Sequence, residues 1–417
     1  MKMEKYYLPA IPKKLLLAIA AKTGTPVFVY SREEIEARLG AYRTALSGAD
    51  SLLCYAMKAN SNMAICDIVK DSGAGADVVS GGELARALEC GFTPDRIIFS
   101  GVGKTTAEHE AAIRAGILFL NVESVEEAVA LEKTASRLKK PCRIAVRINP
   151  DIDPHTHEYI STGKRGKKFG VTVREAMIIY KMAAKSRYLK AAGIHSHLGS
   201  QIRRITAFEK NARFLLWLRE EAARHAGVDL KYLDIGGGWY CAEGEVPASP
   251  EPMLAKVRNI LADSGATLIV EPGRSIVAPS GMLLSSVLYR KKSGDKNFAI
   301  IDAAMNDLLR PSLYGARHPV VNLSNGKGPA ATVSLVGPVC ESGDFMGVDM
   351  RMAVPRQGDV VAVLSAGAYG MSMSSQYNSR PRAAEVLVGK GGKWSIIRER
   401  ETYEDLVRGE RLPRTKK

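Results

Sequence analysis

A chain of 417 residues, 46% hydrophobic and 25% charged, has the make-up of a globular protein long enough for two cores. Its net charge of +15 comes from scattered Lys and Arg, with local groups at Lys139-Lys140, Lys164–Lys168 and Arg411–Lys417. Nucleic-acid binding would gather such charge on one face among aromatics, so this pattern excludes it and reads as a basic surface attractive to anionic ligands.

Cysteines 54, 66, 90, 142, 241 and 340 form no CxxC pair and no metal-finger spacing. Neither a metal site nor a disulfide scaffold is expected, and reduced thiols fit a cytoplasmic enzyme. No apolar run reaches membrane-spanning length, so no membrane partner is expected. Lys13–Ala21 imitates a signal peptide, but its apolar core is short and Lys22 and Gly24 follow, which predicts a glycine-capped helix.

Residues 27–30 predict a strand, and Ser31 ahead of Glu33 and Glu34 opens a helix to about Leu46. A βα rhythm follows. Strands are predicted at 51–57, 76–79, 96–100, 117–122, 143–148, 190–196, 231–235 and 267–271. Helices are predicted near 62–72, 82–90, 106–115, 124–138, 172–185, 206–226 and 249–264. Eight short apolar strands alternating with helices predict a TIM-like (β/α)8 barrel. A doubly wound nucleotide-binding sheet is the competing architecture, but no GxGxxG opens an early helix.

After Pro279 the texture becomes β-rich, with strands at 283–290, 297–301, 318–322, 331–336, 359–363, 384–388 and 393–398. Turn signals at Gly326-Lys327-Gly328, Gln357-Gly358-Asp359 and Gly389–Gly392 separate several of them. The expected organisation is an N-terminal segment, 1–32, whose strand joins the C-terminal β-rich domain, 281–417, with the barrel over 33–280. The tail from Arg414 is expected to fray.

Functional groups of such a barrel gather at the carboxyl ends of its strands. Strand one ends in Tyr55-Ala56-Met57-Lys58-Ala59-Asn60, placing Lys58 where a buried strand gives way to a polar loop. Taken alone, Lys58 is better read as a lysine reaching out to water. The other strand ends change that balance. Asp77 lies at the end of strand two, and His195 and His197, two apart and so on one face, at the end of strand six. Gly236-Gly237-Gly238 follows strand seven, and Glu271-Pro272-Gly273-Arg274 ends strand eight. Glycines let backbone N–H groups approach an anion, and with Gly273, Arg274 and Ser200 they predict a phosphate cradle. His197 is the candidate for stacking on a planar ligand. Glu271, at the end of an apolar strand, needs a partner: Arg274, or a protonated ring nitrogen. An amine, a phosphate cradle and an acid for a ring nitrogen are the parts of a pyridoxal phosphate site.

These motifs resemble the alanine-racemase-like pyridoxal phosphate-dependent barrel decarboxylases. Further matches narrow the resemblance to their diaminopimelate-decarboxylating branch: Asp302–Tyr314, Gly337-Pro338-Val339-Cys340-Glu341-Ser342-Gly343-Asp344 and Tyr377–Arg382. The resemblance spans roughly residues 15–400. Met371–Gln376 departs from it, where a simpler Met-Ala-Ser-Asn-like segment is expected. It implies decarboxylation of meso-diaminopimelate to L-lysine by a homodimer with shared sites. Lys58 would hold the cofactor, with Asp77 beside it, His197 on its ring and Glu271 at its nitrogen. Ser200, Gly237, Gly273 and Arg274 would bind its phosphate, and Tyr369 would contact it. Arg274, Arg310, Tyr314, Glu341 and Tyr369 would bind substrate, and Cys340 of the partner subunit would deliver the proton to Cα. The two arginines suit the distal carboxylate of a dicarboxylate, and Glu341 its ammonium.

Overall fold

Residues 6–152, 168–324 and 329–413 are described by the structure, a computed structural model. The basic residues Lys164–Lys167, the turn at Gly326 and the tail from Arg414 lie outside the described residues. The chain divides into two units. One comprises Ile35–Ala242 and Pro247–Ile276; the other comprises Met1–Glu34, Glu243–Val246 and Val277–Lys417.

The chain opens with α1 (Lys13–Thr23), β1 (Val27–Ser31) and α2 (Arg32–Leu46). Gly24, with φ +73°, ends α1 where the sequence predicts the stop.

The first unit is the expected barrel. Its strands are β2 (Ser51–Ala56), β3 (Gly75–Val78), β4 (Ile97–Phe99), β5 (Phe119–Val122), β6 (Cys142–Arg147), β7 (Leu189–His195), β8 (Tyr232–Asp234) and β9 (Thr267–Val270). They pair in parallel and in order, and β2 closes the ring against β9 with Leu52 opposite Ile269. Between them run α3 (Met63–Asp71), α4 (Gly81–Glu89), α5 (Thr106–Ala115), α6 (Val125–Leu138), α7 (Val173–Lys185), α8 (Ile205–Ala226) and α9 (Glu251–Leu261). Leu52, Cys54, Ile98, Phe119, Ala145 and Ile269 form one buried cluster. They come from strands that are not all neighbours, so they meet inside the barrel.

Four strand-to-helix turns repeat one local device. Ser80, Thr105, Ser124 and Thr172 each accept, through the side-chain oxygen, the N–H of a glutamate three residues on: Glu83, Glu108, Glu127 and Glu175. Each glutamate carboxylate turns back to a backbone N–H, of Val79, Thr105, Glu123 and Thr172 respectively. Caps of this kind stabilise by about 1 kcal/mol each, and they fix where each strand end points.

One of these carboxyls carries a pH signature. Burial pushes Glu83 up to about 7 from an ordinary 4.5, against the Val79 N–H that favours the anion. A carboxyl raised on folding contributes stability below its unfolded value that is lost as pH rises through the folded one. Glu83→Gln should therefore flatten the decline in melting temperature between pH 4.5 and 7, measured by calorimetry against the parent chain.

Among the described residues, the second unit is built on a mixed sheet of nine strands. Beyond β1 these are β10 (Gly281–Ser293), β11 (Lys296–Ile301), β12 (Val320–Asn322), β13 (Ala330–Val336), β14 (Phe345–Ala353), β15 (Val360–Val363), β16 (Ala384–Val388) and β17 (Trp394–Arg398). The main path runs β14-β13-β11-β10-β1-β16-β17, with β15 pairing both β10 and β12. β1 is antiparallel to β10 and parallel to β16, so the first strand of the chain is interior to this sheet. Leu16 and Ile19 of α1 pack with Val27, Val29, Met282, Leu284, Leu364 and Val386. β14 is absent from the sequence expectation, and the reason is physical. Met346, Val348, Met350 and Met352 do alternate with Gly347, Asp349 and Arg351, but Gly and Asp are depleted in strands, and on this edge strand only Met346 is buried.

Candidate active site

β2 ends at Ala56, and Met57–Ala59 form a single 3-10 turn. The polar loop expected here is instead a packed turn. Met57, Ala59 and Asn60 are buried, and the Tyr55 hydroxyl donates to the Asn60 carbonyl at 2.9 Å. Asn62 caps α3 by accepting the Ala64 N–H. The turn holds Lys58 so that its Nζ lies 2.8 Å from Asp77 Oδ2, at the end of β3. The Asp77 side chain is wholly buried, whereas that of Lys58 is 35% exposed. Burial, followed by repulsion from Glu271, raises Asp77, and Lys58 opposes both.

His195, Asp234 and Glu271, from β7, β8 and the end of β9, place ligand atoms within 4.8 Å of one another. All three are buried. His195 Nε2 stands 3.4 Å from Glu271 Oε1, so the protein partner of Glu271 is a histidine rather than Arg274, one of the two partners the sequence offers it. Burial works to raise Glu271, but the charge and hydrogen bonding of His195 and the charge of Lys58 hold it below the usual carboxylate range. Asp234 is driven the other way, first by burial and then by Glu271. Two carboxylates this close in a dry site do not both ionise. Of the pair, Asp234 is the one pushed toward its protonated form and Glu271 the one held toward the anion.

β7 stops at His195, so His197 lies beyond the strand and the expected two-residue alternation does not extend to it. Its Nδ1 accepts the Gly237 N–H at 3.1 Å, which leaves Nε2 to carry the proton. Burial, aided by the charges of Lys58 and Arg147, lowers His197 to about 3. The ring is therefore neutral.

The glycine run makes a cradle no other residue could line. Gly236 and Gly238 have φ of +69° and +96°, and a Cβ on Gly237 would fall 2.1 Å from the Glu271 carbonyl oxygen. Gly273 comes equally close to Ala56 and Ala59, where a Cβ would meet their Cβ atoms at 3.0 Å. Arg274 donates through Nε and Nη2 to Ser200 Oγ, each at 3.3 Å. Backbone N–H groups, a hydroxyl and a guanidinium thus belong to one end of the barrel.

The remaining expected residues belong to the second unit. Arg310 and Tyr314 bound one short helix, Arg310–Tyr314. The Arg310 guanidinium is buried, donating to Glu243 Oε1 and to His318 Nε2, each at 2.9 Å. His318 Nδ1 in turn donates to the Leu364 carbonyl. Cys340 is exposed, its N–H bonded to Asn378 Oδ1, and Glu341 accepts the Tyr377 hydroxyl. Tyr369 has φ +56°, a conformation a tyrosine adopts only under constraint.

Residues 32–278 match the family of pyridoxal-dependent decarboxylases through its pyridoxal binding domain. The diaminopimelate decarboxylase of Aquifex aeolicus is 45% identical over 94% of this chain and 93% of its own length. That of Pseudomonas aeruginosa is 44% identical, covering 95% of each. The chain belongs to the diaminopimelate decarboxylases. A solved Helicobacter pylori diaminopimelate decarboxylase, complexed with L-lysine, superposes with a TM-score of 0.90 at 41% identity, over 94% of this chain and 98% of that one.

The cofactor of this family, pyridoxal phosphate, can be tested against the barrel residues. Asp77 Oδ1, Ser196 Oγ and Asp234 Oδ2 are buried polar atoms without a hydrogen-bond partner among the described residues. The glycine cradle would be filled by any Cβ, and an amine, an anionic carboxylate and a guanidinium lie at the same end of the barrel. These donors and acceptors match an aldehyde, a ring nitrogen and a phosphate, and they fit the group. Gly237→Ala must displace the Glu271 backbone, so pyridoxal phosphate affinity should fall at least about tenfold, read by fluorescence titration of the cofactor-free protein.

Asp234, Glu243 and His318 have no role in the expectation from sequence, and His195 enters it only as one of a pair. A buried aspartate at a strand end, next to a glycine triplet, is the signal that points to Asp234.

Proposed function

We propose that the protein removes carbon dioxide from meso-diaminopimelate to give L-lysine, using pyridoxal phosphate held by Lys58. The observation that carries this is the grouping of Lys58–Asp77, Glu271–His195 and Arg274–Ser200 at the carboxyl ends of the strands of one barrel, in a chain of this family. When bound, the cofactor supplies an electron sink for the pair that carbon dioxide leaves behind on Cα. Lys58 furnishes the amine that receives the cofactor's aldehyde, and Asp77 orients that amine. Glu271, kept anionic by His195, holds the proton on the ring nitrogen. His197, neutral and fixed by Gly237, lies against the ring. Gly237, Gly273, Ser200 and Arg274 bind the phosphate.

Substrate recognition falls to Arg274, Arg310, Tyr314, Glu341 and Tyr369, with the arginines on the distal carboxylate and Glu341 on the ammonium. The working enzyme is a cytoplasmic homodimer in which Cys340 of the partner subunit delivers the proton to Cα. Among the described residues no helix is long and apolar enough to cross a membrane. Carbon dioxide and lysine release should be seen with meso-diaminopimelate and be far slower with lysine, ornithine or arginine. A preference for any of those three would overturn the substrate assignment. Sharing of sites has its own test: Lys58→Ala and Cys340→Ala chains, each inactive alone, should regain about a quarter of parental activity when mixed and allowed to exchange. No recovery by a mixture shown to have exchanged subunits would place Cys340 in its own subunit's site, or in none.

A further inference from the structure

The segment Glu243–Val246 follows β8 along the chain but belongs to the second unit, and its hydrogen bonds tie it there. The Gly244 N–H donates to Ser365 Oγ at 3.0 Å, and the Gly244 carbonyl accepts the Tyr7 N–H at 2.8 Å. Gly244 has φ +76°, and a Cβ on it would fall 2.3 Å from Pro319 Cγ. His318 is anchored just as firmly. Its Nδ1 donates to the Leu364 carbonyl at 2.8 Å, and the Leu364 N–H donates to the Pro319 carbonyl at 2.9 Å. Both groups that take the Arg310 guanidinium, Glu243 at Nη2 and His318 at Nη1, are therefore fixed by bonds of their own. We propose that Glu243 and His318 are positioning residues for substrate, which hold Arg310 in the orientation that receives the distal carboxylate. This rests on the assignment of that carboxylate to Arg310.

A ligand that must first order a free arginine loses affinity by the rotamer entropy it removes. Here that ordering is done in advance. The Arg310 side chain is only 5% exposed, and a guanidinium so buried needs an anion, which Glu243 supplies at 2.9 Å. Burial works to raise the Glu243 carboxyl, but the Arg310 charge outweighs it and holds the group below the usual carboxylate range. His318 carries its proton on Nδ1, so Nε2 is left to accept from Arg310. The charge-assisted bond to Glu243 and the bond to His318 together set two edges of a planar group. The distal carboxylate is remote from the bond that breaks, so its hold on Arg310 is alike in the ground and transition states. Loss of orientation should then appear in KM rather than kcat.

Steady-state carbon dioxide release by the full chain loaded with pyridoxal phosphate tests this. Glu243→Ala and His318→Ala should each raise KM for meso-diaminopimelate about tenfold, with kcat lowered no more than about twofold and the visible absorbance of the cofactor unchanged. Arg310→Ala should raise KM at least as far. Adding Glu243→Ala to it should raise KM less than about twofold further, because residues that act through one group are not additive. Unchanged KM in Glu243→Ala, beside an Arg310→Ala that raises it, overturns the proposal and leaves Arg310 on the substrate. A fully additive double variant also overturns it, and reduces Glu243 to a tie between its segment and the sheet. Parental KM in Arg310→Ala would instead remove Arg310 from the substrate site, and the proposal with it. Should Glu243→Ala not fold, Glu243→Asp keeps the charge but draws the carboxylate back by one carbon–carbon bond. A rise in KM of less than about threefold in that variant would overturn the proposal.

Discussion

Lys58→Ala should lose the covalently held cofactor and, with it, turnover by about three orders of magnitude or more. The visible absorbance of the purified protein should vanish, and borohydride reduction should leave no cofactor mass on the tryptic peptide 44–70, which contains position 58. The size of the effect follows from the setting. Lys58 sits in a turn held by the Tyr55 hydroxyl and the capped start of α3, and it is directed at Asp77 across 2.8 Å. Nothing within the described turn can replace its amine, because Met57, Ala59 and Asn60 are buried and carry no amine. The fold should survive, since the Lys58 side chain is one-third exposed and contributes little apolar burial. Unchanged absorbance with a folded protein would remove Lys58 from the site.

His195→Ala should lower turnover by about a hundredfold at neutral pH while leaving the cofactor attached to Lys58. Glu271 owes its low proton affinity to the charge and hydrogen bonding of His195, with Lys58 behind. Without the imidazole, burial pushes Glu271 upward, so it protonates at a higher pH than in the parent. Activity that needs an anionic Glu271 must then be lost earlier as pH falls. The acid limb of the pH–rate profile should move toward neutrality, and cofactor absorbance should move with it. His195→Gln, which keeps a hydrogen-bond donor, should restore part of the loss. Asp234→Asn is the contrast. Asparagine mimics a neutral carboxylic acid, so turnover should change by less than about threefold if Asp234 keeps its proton. A large loss in Asp234→Asn, or an unmoved acid limb in His195→Ala, would reverse the assignment of charge within the trio.

Much of this site was legible because a barrel converts sequence order into spatial order. Once eight strands are recognised, Lys58, Asp77, His197, Gly237 and Glu271 must all fall at one end, whatever lies between them. The βα alternation was readable because buried strands are short apolar runs and because each capping Ser or Thr announces its helix. Pairings inside the site were not readable. Nothing in Glu271-Pro272-Gly273-Arg274 says that Glu271 meets His195 from β7 rather than the arginine three residues away. That preference arises from strand register, with β7 beside β8 and β8 beside β9. Likewise Arg310 offers no sequence hint of Glu243, 67 residues earlier, or of His318, eight residues on. β14 carries a two-residue period of Met346, Val348, Met350 and Met352, but Gly347 and Asp349 between them are poor strand formers and mask it.

The place of β1 in its sheet governs the order in which this chain can be made. Its antiparallel neighbour is β10 and its parallel neighbour is β16, both encoded after the whole barrel. During synthesis the first strand, entirely apolar apart from Tyr30 and Ser31, emerges early and must wait unpaired until residues 281–284 leave the ribosome, and its second edge stays open until residues 384–388 follow. The barrel needs no such delay, since all eight of its strands are complete by Val270. A nascent chain arrested near residue 300 should therefore hold a protease-resistant barrel and a protease-sensitive amino terminus, and truncation before β16 should expose Val27–Ser31 as a sticky edge.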